Sequence, residues 1–232
     1  MDKLLLFDID GTLIFSGRTS IEAYIRSIES VFGEAVLLEY GDYAGLTDPQ
    51  IFINGLKKAN LNRSHFEANK NLLYRYYIQF LKRNYPGADD RFIYPGVREM
   101  LELLSQRADI VLGLLTGNIE EGAKIKLKPY SILKYFSLGA FGSDSMDRNQ
   151  LPRIAIKKAE DRFKRSFKPS ELVIFGDTVH DVRCAKTIGA KSVVVHPTAE
   201  RIEEIKKAKP DHFLQSFIQL DILKQILGIE GG

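Results

Sequence analysis

The sequence predicts a doubly wound α/β fold, a parallel sheet with helices on both faces, interrupted by a helical insertion. Short apolar runs bounded by polar residues or glycine recur along the chain, and amphipathic helical patterns lie between them. One stretch, 16–90, breaks that alternation with helical signals alone. At 232 residues, the chain is long enough for one large domain or for a domain carrying a smaller inserted one.

The first apolar run is Leu4 to Phe7, followed by Ile110 to Leu115, Leu172 to Phe175 and Ser192 to Val195. Phe136 to Ala140 offers a fifth strand and His212 to Leu214 an edge. Such short continuous runs suit parallel strands covered on both faces, which require crossover helices. Val97, Met100, Leu101 and Leu104 make one helical stripe, Ile154 to Phe163 a second, and Val182, Ala185 and Ile188 a third that Gly189 closes. Within the insertion, Thr19 with Glu22 and Ser64 with Glu67 match the capping-box spacing, and Asp48-Pro49 reads as a cap with a first-turn proline. Ile21, Ile25, Ile28 and Phe32 form one apolar face, and Leu73, Tyr77, Phe80 and Leu81 another. Tyr94-Pro95-Gly96 then turns the chain back to the sheet. The expected division is a core of 1–15 with 91–232, and a helical subdomain of 16–90.

Composition narrows the function. A net charge of +3 from 33 basic and 30 acidic residues suits anionic substrates without pointing to nucleic acid. The basic segment Lys157, Lys158, Arg162, Lys164, Arg165 and Lys168 is interleaved with Ala155, Ala159 and Phe163, as on a solvated helix face. A single cysteine, Cys184, excludes an intrachain disulfide framework and fits a reducing compartment. Since no apolar run approaches the roughly 20 residues of a membrane span, a cytoplasmic protein without membrane partners is expected.

Chemistry-bearing segments follow the carboxyl ends of the expected strands, where open α/β sheets bind ligands. Asp8-Ile9-Asp10-Gly11-Thr12 follows the first strand and Thr116-Gly117-Asn118 the second. Asp147-Arg148 lies beyond the third, and Gly176-Asp177-Thr178-Val179-His180-Asp181 follows the fourth. An extended backbone would aim Asp8 and Asp10 to one side, and two neighbouring anions need a positive charge between them. The EF-hand pattern fails because Thr19 stands where a glutamate is required. The P-loop pattern fails because Ala123 stands where the lysine must be.

With these four segments in order over nearly the whole length, the chain resembles the haloacid dehalogenase superfamily, in its phosphohydrolase branch with an inserted helical cap on a Rossmann-like core. The resemblance implies an aspartyl-phosphate mechanism in which Asp8 is the nucleophile and Asp10 the acid and base. It implies Mg²⁺ held by Asp8, the Asp10 carbonyl and Asp177, and phosphate bound by Thr116, Gly117 and Asn118, with Asp181 supporting from behind. If Asp10 offers its carbonyl, the strand breaks there and Gly11 supplies the turn. The third motif of the family carries a lysine; here Arg148 takes that place, with Lys157 and Lys124 as runners-up. The segment Ala44-Gly45-Leu46-Thr47-Asp48 resembles the specificity loop of phosphoglycolate phosphatases, so Thr47 and hinge-proximal Arg18 are expected to meet the substrate, a small phosphorylated acid.

Asp10 and Asp177 argue against a dehalogenase, which lacks the acidic residue two positions after the nucleophile and needs no Mg²⁺. A phosphomutase uses the same aspartates and stays open. A response-regulator receiver, a non-catalytic phosphoryl-accepting module, would have neither the insertion nor this length. A partner-binding pseudoenzyme would have lost Asp8, Asp10 or Asp177.

Overall fold

In the computed structural model, which describes residues 3–229, Leu4 to Phe7 are all fully buried because their strand is covered on both faces. The outermost residues of the expected core, 1–2 and 230–232, lie outside the described residues. Period two sorts the strand: Leu5 and Phe7 join one apolar cluster, and Leu4 and Leu6 another on the opposite face. This strand, β1 (Lys3–Phe7), lies near the centre of a parallel six-stranded sheet. The other strands are β4 (Ile110–Leu115), β5 (Leu138–Ala140), β6 (Leu172–Gly176), β7 (Lys191–Val195) and β8 (His212–Leu214). Their order is β5-β4-β1-β6-β7-β8. Each element expected from the apolar runs is present, with β5 shortened at its start by a tight turn over Leu133–Tyr135.

Helices α5 (Val97–Ser105), α6 (Glu120–Leu127) and α10 (Leu220–Leu227) cover the Leu5 and Phe7 face. Helices α7 (Leu151–Phe163) and α8 (Val179–Thr187) cover the other through Leu151, Ala155, Ala159 and Ala185. Helix α9 (Ala199–Lys207) crosses from β7 to β8. At the sheet centre Phe7 and Phe175 stack with ring centroids 4.6 Å apart. Among the described residues no helix is long and apolar enough to cross a membrane.

A two-stranded antiparallel ribbon that the sequence did not reveal, β2 (Ile14–Phe15) with β3 (Phe92–Ile93), closes the ends of the insertion. Between its strands run α1 (Gly17–Phe32), α2 (Tyr40–Tyr43), α3 (Asp48–Lys58) and α4 (Arg63–Asn84), which share a separate apolar cluster around Tyr24, Phe52, Phe66 and Tyr77. The caps differ from their expected places. Helix α1 starts at Gly17, before Thr19, because Asp90 at the returning end accepts from the Arg18 amide at 2.7 Å. Helix α4 is capped by Asn62 with His65, two residues before Ser64. Thr47 with Gln50, rather than Asp48, caps α3, which frees the Asp48 carboxylate for other partners. The buried face of α1 is also rotated from the isoleucine stripe. It runs through Ser20, Ala23, Tyr24, Ser27 and Ile28, of which the small Ser20, Ala23 and Ser27 let α1 approach its neighbours, while Ile21, Ile25 and Phe32 are only partly buried.

Phe52 is fully buried, with its ring within 5.2 Å of Tyr24 and 5.8 Å of Tyr77 between centroids. Phe52→Ala should therefore destabilise the helical subdomain by about 3–5 kcal/mol, read as a lower urea midpoint of the near-ultraviolet tyrosine signal. An unchanged midpoint would contradict this packing.

Candidate active site

The first motif divides its two aspartates. Asp8 continues the sheet bonding, its amide donating to the Phe175 carbonyl at 3.0 Å, and its carboxylate is buried at the sheet's carboxyl end. The chain then turns at Gly11, whose φ of +83° belongs to the left-handed region, and the amides of Leu13 and Ile14 both donate to the Ile9 carbonyl. A side chain at Gly11 would also strike the Asp177 carboxylate, 2.3 Å from where a Cβ would stand. The period-two expectation that Asp8 and Asp10 point together is thus corrected, because the turn sends them into two different clusters.

In the first cluster, Asp8, Asp177 and Asp181 bring carboxylate oxygens within 4.8 Å of one another. Arg148 lies against them, its Nη2 3.2 Å from Asp8 Oδ2 and 2.6 Å from Asp181 Oδ1. The other Asp181 oxygen accepts from the Thr178 amide and hydroxyl, which caps α8. Asp177 accepts from Arg201 on α9 at 2.6 Å, while its Oδ1 is buried without a partner among the described residues. Burial pushes Asp8 up to about 7 and is reinforced by Asp181, Asp177 and Asp10 against the pull of Arg148. Burial, then Asp181, pushes Asp177 up to about 6, with Arg201 opposing. The hard carboxylate donors of Asp8 and Asp177, one Asp177 oxygen being open, fit a divalent cation of the Mg²⁺ class, with Asp181 beside them already held by Arg148 and Thr178.

In the second cluster, Asp10 accepts from Ser16, from Asn118 Nδ2 at 2.6 Å and from Lys126 Nζ at 3.0 Å. Burial alone would raise Asp10, but Lys126, Asn118 and Ser16 outweigh it and hold the carboxyl below its ordinary range. Thr116, fully buried, accepts from the Asn118 amide and side chain. Beside the clusters, Asn118 Oδ1 and Arg148 Nε are buried without partners among the described residues. Unsatisfied polar atoms are rare in folded interiors, and their gathering at one strand edge marks a place built for a polar ligand.

Lys126 and Arg201 were missed by reading the sequence. Lys126 sits in a basic run with Lys124 and Lys128, which resembles a solvent face. The usable signal is its spacing: Gly122, Ala123, Lys126 and Leu127 share the buried side of α6. The runners-up for the third motif lie elsewhere, Lys124 in an exposed pair with Glu120 and Lys157 exposed on α7. Arg201 comes from an element with no motif at all.

The helical subdomain docks on the same edge. Gly117 leaves room for the Leu46 carbonyl, which would lie 2.1 Å from a Cβ there, and the Gly117 carbonyl accepts from the Asp48 amide at 2.8 Å. The Asp48 carboxylate accepts from the Ile119 amide and from Tyr24, and burial pushes it up to about 6. Thr47 is fully buried and its hydroxyl donates to the Met146 carbonyl at 2.9 Å, a docking contact where a substrate contact was expected. Arg18 remains exposed at the edge of a cavity of about 390 Å³ that extends from Asp8 between the core and the helices.

A family model described as haloacid dehalogenase-like hydrolase matches residues 5–195. The phosphoglycolate phosphatase of Vibrio vulnificus is 26% identical over 220 residues, covering 94% of each chain. The pyrophosphatase PpaX of Halalkalibacterium halodurans is 24% identical over 218 residues, covering 93% of this chain and 94% of the relative. Solved structures of CbbY from Rhodobacter sphaeroides with phosphate and of a haloacid dehalogenase-like family hydrolase from Streptococcus pneumoniae share the fold. Their TM-scores are 0.72 and 0.69, each at 17% identity, over 95% and 96% of this chain and 96% and 98% of theirs.

Lys126→Met would leave Asp10 without its charged partner. Because the Asp10 side chain keeps 36% exposure, the cost should be only about 1–2 kcal/mol at neutral pH. A carboxyl held below its ordinary range stabilises the fold above that range and loses the contribution as it protonates. The deficit, read from urea midpoints, should therefore shrink as pH falls through the carboxylate range. A deficit independent of pH would mean that Lys126 supplies packing and not charge.

Proposed function

The chain belongs to the haloacid dehalogenase-like hydrolases and is a phosphoric monoester hydrolase, and from that premise we propose a Mg²⁺-dependent phosphatase of a small phosphorylated metabolite that works through Asp8. The observation that carries this reading is the buried pairing of Asp8 with Arg148 beside an open Asp177 oxygen, ringed by unpartnered polar atoms. A cytoplasmic setting accords with the lone buried Cys184.

Asp8 attacks the phosphorus, and its new P–O bond forms as the bond to the leaving alcohol breaks, with Asp10 giving that oxygen a proton. Water then attacks the phosphorus and gives its proton to Asp10, and the bond to Asp8 breaks to release inorganic phosphate. In the free protein Lys126 and Asn118 hold Asp10 ionised, the form that takes the proton from water; an arriving phosphate dianion raises its proton affinity by like-charge repulsion. Arg148 grips the phosphoryl oxygens through its guanidinium, whose Nη1 stands beside Gly117 while Nη2 is held by Asp8 and Asp181. Thr116 donates its hydroxyl proton, since its oxygen already accepts from Asn118, and the amides of Gly117 and Asn118 lie alongside. Asp8, Asp177 and the Asp10 carbonyl would hold Mg²⁺, which when bound offsets the crowded negative charge and favours the ionised carboxylates. Asp181 orients Arg148.

The division into a core of 1–15 with 91–232 and a cap of 16–90 belongs to the same proposal. The cap closes over the crevice, excludes water from the first step and meets the leaving group. Phosphoglycolate is the small acid that the name of the Vibrio relative supports, and it is the reference for other leaving groups.

Hydrolysis of p-nitrophenyl phosphate with Mg²⁺ should fall by about 10³-fold or more in Asp8→Asn. Arg148→Ala should lower it by about 10²–10³-fold, while Lys157→Ala leaves it unchanged. Chelation of the metal should abolish turnover and added Mg²⁺ restore it. Equal activity in wild type and Asp8→Asn would defeat the nucleophile assignment, and full activity under chelation would defeat the metal dependence.

A further inference from the structure

The cavity walls say what kind of alcohol leaves. Beyond the phosphoryl end, rings enter from two separate elements: Tyr40 and Tyr43 from α2, and Phe15 and Tyr94 from the hairpin side, with Ile21 beside them. These rings are organised and not incidental. Tyr40 and Tyr43 meet edge to face at 5.7 Å, Phe15 stacks on Phe92 at 5.2 Å, and Tyr94 stacks on His196 at 4.0 Å. Phe15 and Tyr40 are 44% and 51% exposed, and both line this one cavity, so their open area is gathered and not scattered.

Charge runs the other way. The carboxylate of a glycolate leaving group stands only two carbons from the ester oxygen, so it needs a cation close to the phosphoryl site. Lys126 is paired with Asp10, Arg148 with Asp8 and Asp181, and Arg201 with Asp177. Arg18 is the cavity-lining cation without an acidic partner among the described residues, and it is exposed. The cavity of about 390 Å³, phosphoryl end included, is within the range that takes ring-bearing ligands.

We infer that the physiological substrate is a phosphate monoester whose alcohol carries an aromatic ring, seated against Tyr43 and Phe15. The inference rests on the phosphatase reading and adds the leaving-group class to it. Flat rings suit such walls because edge-to-face and offset contacts add to simple burial.

The test compares kcat/KM for benzyl phosphate, ethyl phosphate, phosphoglycolate and pyrophosphate with the full-length protein and Mg²⁺. Benzyl and ethyl phosphate share a primary-alcohol leaving group and differ in the ring. Benzyl phosphate should exceed each of the others by at least about tenfold, a difference of roughly 1.4 kcal/mol. Benzylphosphonate should inhibit p-nitrophenyl phosphate hydrolysis at about tenfold lower concentration than ethylphosphonate, a readout that needs no turnover of the probe. Tyr43→Ala and Phe15→Ala should each reduce the benzyl-to-ethyl ratio severalfold. Turnover of phosphoglycolate, pyrophosphate or ethyl phosphate at or above that of benzyl phosphate would overturn the inference and leave the phosphatase reading standing, as would a ratio unchanged in both variants. No turnover of any ester, p-nitrophenyl phosphate included, would bring down the phosphatase reading and the inference with it.

Discussion

Four carboxylates, Asp8, Asp10, Asp177 and Asp181, meet at the carboxyl end of one sheet, and the rest of the site is arranged to make that crowding tolerable. Three of them are almost wholly buried, where an uncompensated charge is expensive. The chain answers with separate partners: Arg148 for Asp8 and Asp181, Arg201 for Asp177, Lys126 for Asp10. The compensation is incomplete for Asp8, which stays pushed up to about 7. Under the metal-dependent reading proposed above, a further cation would relieve that residual imbalance.

The same crowding fixes the backbone. Asp8 and Asp10 can carry different environments only because the chain turns between them at Gly11, and that turn leaves space for the Asp177 carboxylate and nothing larger. Gly117 plays the corresponding part for the helical subdomain, admitting the Leu46 carbonyl so that the Asp48 amide can reach the core. Two positions without side chains therefore set how closely the metal-ligand candidates and the docking loop approach each other.

The sheet was legible because fully covered parallel strands must be continuous apolar runs, and Leu4 to Phe7 or Leu172 to Phe175 have no other economical place. The motif aspartates were legible because each follows such a run. Helix starts were not: Asp90 reaches across the insertion to the first turn of α1, a contact that no local spacing encodes. The buried face of α1 was misread because close helix approach selects Ser20, Ala23 and Ser27 over the more apolar isoleucines. Lys126 and Arg201 escaped notice for a related reason, since long side chains reach sites far from their own sequence neighbours. Thr47 looked like a substrate contact and is instead a peg between subdomain and core.

The short β2–β3 ribbon has a consequence for assembly. By pairing Ile14 with Ile93 and Phe15 with Phe92, it brings the two ends of the insertion together before either rejoins the sheet. The entropic cost of closing so long a loop grows only slowly with its length. The insertion can consequently differ in size or sequence while the parallel sheet keeps its connectivity.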